Sequence, residues 1–137
     1  MAGIEHKEIR LTLRNQLDTV VGLPAAANRA WENRKFEPPT DTWIRETFLP
    51  NEEGLVANQL LEALGFVVYD VFHPEGEGTE DAEDLADDIV QAFVHGTTIN
   101  GSVDVTIDRA ERQPGSLESE WYMIPVRISW RAYAPRT

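Results

Sequence analysis

An alternation of apolar and polar side chains near the carboxyl end, uninterrupted from Val126 to Ala132, constrains the fold of this 137-residue chain most strongly. Within residues 120–133, the apolar positions of one face are Tyr122, Ile124, Val126, Ile128, Trp130 and Ala132. Met123, Arg127, Ser129 and Arg131 lie between them and point away. Because successive side chains of a strand point to opposite faces, this pattern predicts a long strand in a sheet that is covered on one side only.

Two other segments have the spacing of amphipathic helices. In residues 4–21 the apolar stripe recurs every three or four positions, and Gly22 and Pro24 stop the helix. The second helix is predicted to begin after Thr79, a suitable N-cap, and to end at His95 with Gly96 as its C′ residue. Its apolar stripe consists of Ala82, Leu85, Ala86, Ile89, Val90, Phe93 and Val94.

The rest of the chain is read mainly as short strands. The predicted strands are residues 28–36, 41–49, 66–73 and 102–109, besides the last one. Pro50 and Gly54 are expected to bracket a loop, and residues 55–65 fit either a helical turn or the start of a strand. The order α-β-β-β-α-β-β predicts one α+β domain, residues 1–137, whose mainly antiparallel sheet carries both helices on one face.

The charge distribution argues against a nucleic-acid-binding role. The net charge is −12, and no Lys or Arg occurs between Arg45 and Arg109, where 15 Asp and Glu residues are found. Neutralising phosphates requires Lys and Arg, so such a chain is poorly suited to gripping DNA or RNA. A solvated acidic face that aids solubility is an equally good interpretation of this segment.

No residue pattern indicates catalysis, a cofactor or a metal. The chain has no cysteine, no apolar run long enough to span a membrane, and no signal-peptide pattern, which together suggest a soluble intracellular protein. Gly76-Glu77-Gly78 precedes a helix as a phosphate loop would, but neighbouring carboxylates would repel an anion. The carboxylates of residues 75–88 lack the EF-hand pattern. We therefore expect a protein that is not an enzyme.

Several motifs in this order resemble the tail-terminator family of long-tailed bacteriophages, the gpU-like small ring proteins. The first part of the chain contributes Gly22-Leu23-Pro24, Ala30-Trp31-Glu32-Asn33 with Phe36 and Pro38, Trp43-Ile44-Arg45, and Phe48-Leu49-Pro50. The second part contributes residues 68–72 with Pro74 and Gly78, the helix from Ala82 to Phe93, residues 121–126, and Trp130.

This resemblance implies a structural role in phage tail assembly. Such proteins form a ring, usually of six copies, on the end of the tail tube, halt tube growth and present a surface to head-completion proteins. The family has no catalytic residues to transfer. A different neck protein joining head to tail remains an alternative, as does a small ligand-binding or enzymatic α+β domain, which a deep pocket with converging polar groups would favour.

A ring requires two different, complementary faces on each subunit, and the charge distribution suggests where they lie. The basic residues of the first strand pair, with one tryptophan, form one candidate subunit or tube interface: Arg29, Arg34, Lys35, Trp43 and Arg45. The acidic loop before the second helix forms the other candidate, either a partner face or the lumen lining: Glu75, Glu77, Glu80 and Asp81. DNA would pass an acidic lumen without specific binding.

Overall fold

The computed structural model describes residues 6–57 and 60–135. Its helices are α1 (His6–Leu17) and α2 (Glu80–Ala92), with a single 3-10 turn at Ala26–Asn28. Its strands are β1 (Arg29–Ala30), β2 (Trp43–Ala57), β3 (Leu60–Pro74), β4 (Thr98–Ile99), β5 (Val105–Arg112), β6 (Ser116–Glu118) and β7 (Trp121–Pro135).

The seven strands form one sheet in the order β1-β2-β3-β7-β5-β4, and β6 pairs separately with β7. Every pairing is antiparallel except that of β1 with β2. The alternating strand β7 lies inside the sheet and pairs with β3 along its whole length, from Leu60 opposite Pro135 to Pro74 opposite Trp121. The predicted α+β class with a mainly antiparallel sheet is confirmed.

Both helices pack on the same face of this sheet, as predicted. One core cluster contains the buried residues of both helices together with the inward-facing positions of β7, among them Leu13, Ile89 and Trp130. Six side chains from the predicted apolar stripe of the second helix and the apolar face of the last strand all belong to this cluster: Leu85, Ile89, Phe93, Val126, Ile128 and Trp130. The alternation seen in the sequence therefore divides β7 into a helix-covered face and an outer face.

Gly65 makes room for the largest side chain of this core. In the β3–β7 register, Gly65 lies opposite Trp130, which is only 1% exposed. A Cβ added to Gly65 would lie 2.5 Å from Trp130 Cζ2 and 2.7 Å from the Leu49 carbonyl oxygen. The indole also stacks on Phe48, with ring centroids 5.4 Å apart. Only a residue without a side chain fits here.

The predicted strand over residues 28–36 is wrong beyond its start. Only Arg29 and Ala30 pair, in parallel, with Ile44 and Arg45. The chain then turns, and Asn33 has a φ of +56°, a left-handed conformation that extended strands exclude.

The expected loop between Pro50 and Gly54 is also wrong, because β2 continues through both residues. Pro50 pairs with Gly65, and a register shift between Pro50 and Glu52 accommodates the imino acid. Beyond the short β1 pairing, β2 forms an edge of the sheet, where a missing backbone N–H is tolerated. Of the two interpretations of residues 55–65, the strand is correct for residues 55–57 and 60–65. Residues 58–59 are not among the described residues.

The remaining differences concern element ends and two short strands. Helix α1 ends at Leu17 rather than residue 21, and its predicted first residues, 4 and 5, lie outside the described residues. Helix α2 ends at Ala92, because Phe93 leaves the helical conformation and packs into the core. Gly96, with a φ of +81°, belongs to the following turn and does not cap the helix. Strand β5 lies three residues later than predicted, and β4 and β6 were not predicted.

Candidate assembly surfaces

Arg29, the first of the predicted interface residues, holds a turn of its own chain. Its Nε donates a hydrogen bond to the Pro24 carbonyl oxygen at 2.8 Å, and its Nη1 pairs with Asp18 at 2.5 Å. Only 17% of its side chain is exposed. Arg29 thus fastens the segment after α1 to the beginning of β1.

Trp43 lies on the outer face of the sheet, yet it is almost fully buried there. It stacks on Phe72 with ring centroids 4.0 Å apart and an interplanar angle of 4°, and Trp121 packs edge-on against it. Its exposed fraction is 7%. In the single chain Trp43 therefore belongs to an aromatic cluster and offers little surface to a partner.

Arg45 is adjacent on the same outer face and is held by carboxylates. Its Nε donates to Asp70 at 3.0 Å, its Nη1 lies 3.4 Å from Glu118, and its guanidinium lies over the Phe72 ring. Burial raises the pKa of Asp70 above its ordinary value, although the charge and hydrogen bonds of Arg45 act in the opposite direction. About 40% of the Arg45 side chain remains exposed.

Arg34 and Lys35 are the predicted interface residues that project freely. Both are exposed in the turn that follows β1. Among the described residues, no carboxylate lies within ion-pair distance of either side chain. They are therefore available for an intermolecular contact.

The predicted acidic residues form one exposed region. Glu75 and Glu77 lie in the loop after β3, and Glu80 and Asp81 begin α2; all four are exposed. Gly76 and Gly78 have φ values of +85° and +78°, so the tight path of this loop depends on glycine. No described Lys or Arg pairs with these four carboxylates.

This acidic region continues along α2. We define residues 75–88, which carry eight carboxylates and no basic residue, as the acidic segment. Asp87 pairs with Arg112 at 3.4 Å. Within the described parts of the chain, no group of three or more His, Asp or Glu residues is arranged to hold a metal ion.

A second cationic surface, between α1 and the edge strand β2, was missed from the sequence. An open groove of about 510 Å³, here called the basic groove, is lined by His6, Lys7, Arg10, Leu11, Arg14, Phe48 and Pro50. Lys7, Arg10 and Arg14 follow one another at spacings of three and four, which places them on one side of α1. The spacing of these basic residues is the signal in the sequence that could have indicated the groove. On its own, however, the same spacing is typical of an ordinary solvated helix face.

The inner wall of the basic groove is fixed by a buried ion pair. Arg14 Nε and Nη2 donate to the two carboxylate oxygens of Glu46 at 2.7 and 2.6 Å, and the Glu46 side chain is 0% exposed. The hydrogen bond to Glu46 raises the pKa of Arg14. Arg14 also lies over the Trp31 ring, 4.4 Å from its centroid. The pair connects α1, β2 and the turn after β1.

The chain is an α+β protein with a mainly antiparallel sheet, both helices on one face of the sheet, and oppositely charged exposed regions. The family model described as phage tail terminator protein matches residues 8–130. The chain therefore belongs to the phage tail terminator family, and its role is that of a structural component of the phage tail.

A likeness to known structures supports the fold. One solved structure, whose name states no function, matches with a TM-score of 0.73 and 19% sequence identity, covering 95% of this chain and 96% of that one. No curated protein sequence matches the chain significantly. Within the described residues, neither helix is long and apolar enough to cross a membrane.

Proposed function

We propose that this chain assembles into a ring of six copies on the end of the phage tail tube and stops tube polymerisation there. The ring also presents the surface to which head-completion or neck proteins bind. The chain acts through binding surfaces alone, as one domain, without enzymatic activity or a cofactor. The observation that carries this proposal is the match of residues 8–130 to the tail terminator family.

The distribution of charged surface supports assembly by unlike faces. Subunits of a ring contact each other head to tail, so each copy needs two complementary patches. Arg34 and Lys35 are exposed cations on one part of the surface, while the acidic segment is an exposed anionic region elsewhere. Arg29 and Arg45 assist indirectly, since their ion pairs hold the neighbouring turns and strands in place.

The acidic segment also suits a surface that DNA must pass. The phage genome travels through the tail, so a lumen that bound phosphates would slow its passage. Those of Glu75, Glu77, Glu80 and Asp81 that the subunit contact leaves uncovered offer no cation to a phosphate, so an acidic rim would leave DNA mobile. In this proposal DNA passes through the ring without specific binding.

Electron microscopy of the purified protein, alone and mixed with tail-tube protein, tests this function. We expect rings on tube ends, and tubes that stop lengthening once the protein is added during polymerisation. Tube length measured against protein concentration gives the quantitative readout. A protein that leaves tube length unchanged and binds no tube end at any salt concentration would contradict the proposal. Binding to head-completion protein but not to tubes would instead favour a different neck protein.

A further inference from the structure

The basic groove concentrates positive charge in a chain whose net charge is −12. Lys7 and Arg10 stand on its α1 side, and no described carboxylate pairs with Lys7. The Arg10 guanidinium lies 3.4 Å from the carboxylate of Glu32. The charge of Arg14 is matched by buried Glu46, so Lys7 and Arg10 are the cations left to meet a partner.

The floor of the basic groove is apolar. Phe48 is 6% exposed, stacks on Trp130 and carries the Arg10 guanidinium 4.9 Å above its ring centroid. The backbone N–H of Phe48 donates to Glu32 at 2.6 Å, which anchors the turn after β1 against the edge of β2. Leu11, 45% exposed, adds apolar surface at the rim. Such a groove is suited to a short chain segment that carries several carboxylates.

The acidic segment has the complementary chemistry. Of its eight carboxylates, all but Glu83 are exposed, and only Asp87 pairs with a cation among the described residues. Helical spacing places Glu80, Asp84, Asp87 and Asp88 on one side of α2, opposite the buried Leu85 and Ile89. An acidic stripe whose described carboxylates are mostly unpaired thus occurs on the same chain as a basic groove in which Lys7 has no described carboxylate partner and Arg10 is 31% exposed.

We infer that the basic groove of one copy binds the acidic segment of a second copy. This inference rests on the proposed ring and names the contact that closes it. Each chain has one groove and one acidic segment, so the contact is head to tail and leaves a free groove and a free segment on every open oligomer. Repetition of such a heterologous contact closes a ring when the rotation from one copy to the next closes on itself.

Charge reversal on each side separately, then on both, tests the contact. The groove variant is Lys7→Glu with Arg10→Glu, and the segment variant is Glu77→Lys with Asp84→Lys. Arg14 is left intact because it holds Glu46. Each variant should lower the association constant at least tenfold, as measured by light scattering and sedimentation. The chain that carries all four substitutions should recover assembly, because the opposite charges face each other again.

Mixing the groove variant with the segment variant gives a second, independent readout. The intact groove of the segment variant fits the intact segment of the groove variant, and the reversed groove fits the reversed segment, so the mixture should recover assembly with the two variants alternating, although neither assembles alone. The matched control for the groove variant, Arg109→Glu with Arg127→Glu, makes the same change of net charge away from the groove, and at a salt concentration that screens the net repulsion it should assemble as the wild type does. Circular dichroism and thermal unfolding confirm that each variant is folded.

The outcomes separate this inference from the proposed function. Rings formed equally well by the groove and segment variants would overturn the groove contact while leaving tube capping intact. Failure of the four-substitution chain to recover assembly would overturn it as well. A wild-type protein that forms no ring and caps no tube would contradict both the contact and the function.

Discussion

Arg14 and Glu46 form a two-hydrogen-bond ion pair in which the carboxylate is fully buried between α1 and β2. A carboxylate is expensive to remove from water unless a cation and hydrogen bonds compensate it. Here the compensation comes from the helix that forms one wall of the basic groove. The same pair therefore contributes to fold stability and keeps the groove in shape.

Replacing Arg14 with Leu should lower the free energy of unfolding by about 3 kcal/mol, because an uncompensated charge would remain buried. Urea unfolding followed by circular dichroism measures the change. Replacing Arg14 and Glu46 together with Leu should restore most of the loss, since neither charge is then left alone. A double variant as unstable as the single one would contradict this account.

Substitution of Gly65 by Ala should destabilise the core by about 1–3 kcal/mol, the usual cost of overpacking. The new methyl group would meet Trp130 and the Leu49 carbonyl oxygen at distances that neither can accommodate without moving. Gly54→Ala is the matched control, because a Cβ there has no neighbour within 4 Å. Thermal unfolding should show a lower midpoint for the first variant and little change for the second.

The raised pKa of Asp70 predicts a pH dependence that Asp70→Asn should remove. Burial makes ionisation less favourable in the folded state than in the unfolded chain. The contribution of Asp70 to stability is therefore largest below the ordinary pKa of an aspartate and declines as the pH rises through the raised folded value. The stability of the wild type relative to Asp70→Asn should fall between about pH 3 and pH 6, measured by urea unfolding. An unchanged difference across that range would contradict the prediction.

The parts of the fold that were predictable are those that local periodicity dictates. The alternation around Val126 and Ile128 and the helical stripe around Leu85 each mark one buried face, and both faces meet in the core. The charges of the acidic segment were equally visible, because no basic residue interrupts them.

Tertiary contacts decided the parts that were not predictable. Residues 31–33 read as a strand, but Glu32 leaves the sheet pattern to bind the Phe48 N–H and Asn33 turns the chain. The basic groove depends on Phe48 and Pro50 lying against α1, a proximity that no local pattern encodes. Pro50 suggested the end of a strand, because proline has no backbone N–H to donate. The sheet tolerates it because β2 is an edge strand, and that is a property of the whole sheet rather than of the local sequence.

We expect ring formation by the wild type to depend on the salt concentration, and substitutions of Arg34 and Lys35 to shift that dependence. Six copies of a chain with net charge −12 repel one another, and this repulsion acts over longer distances than contact pairs do. Charges separated by more than about 8 Å are largely screened at physiological ionic strength, so raising salt should weaken the repulsion more than short-range contacts. We therefore expect monomers or small oligomers in dilute low-salt buffer, and rings at higher salt, with divalent cations or on tube ends.

Replacing Arg34 and Lys35 with Glu should shift ring formation to higher salt and lower the yield of rings, because both side chains are exposed and have no described carboxylate partner. Replacing both with Gln removes charge without reversing it and should give an intermediate midpoint. Light scattering across a salt series measures the midpoint, and circular dichroism verifies folding. If the Glu and Gln variants assemble at the wild-type salt midpoint, Arg34 and Lys35 do not contribute to a subunit face.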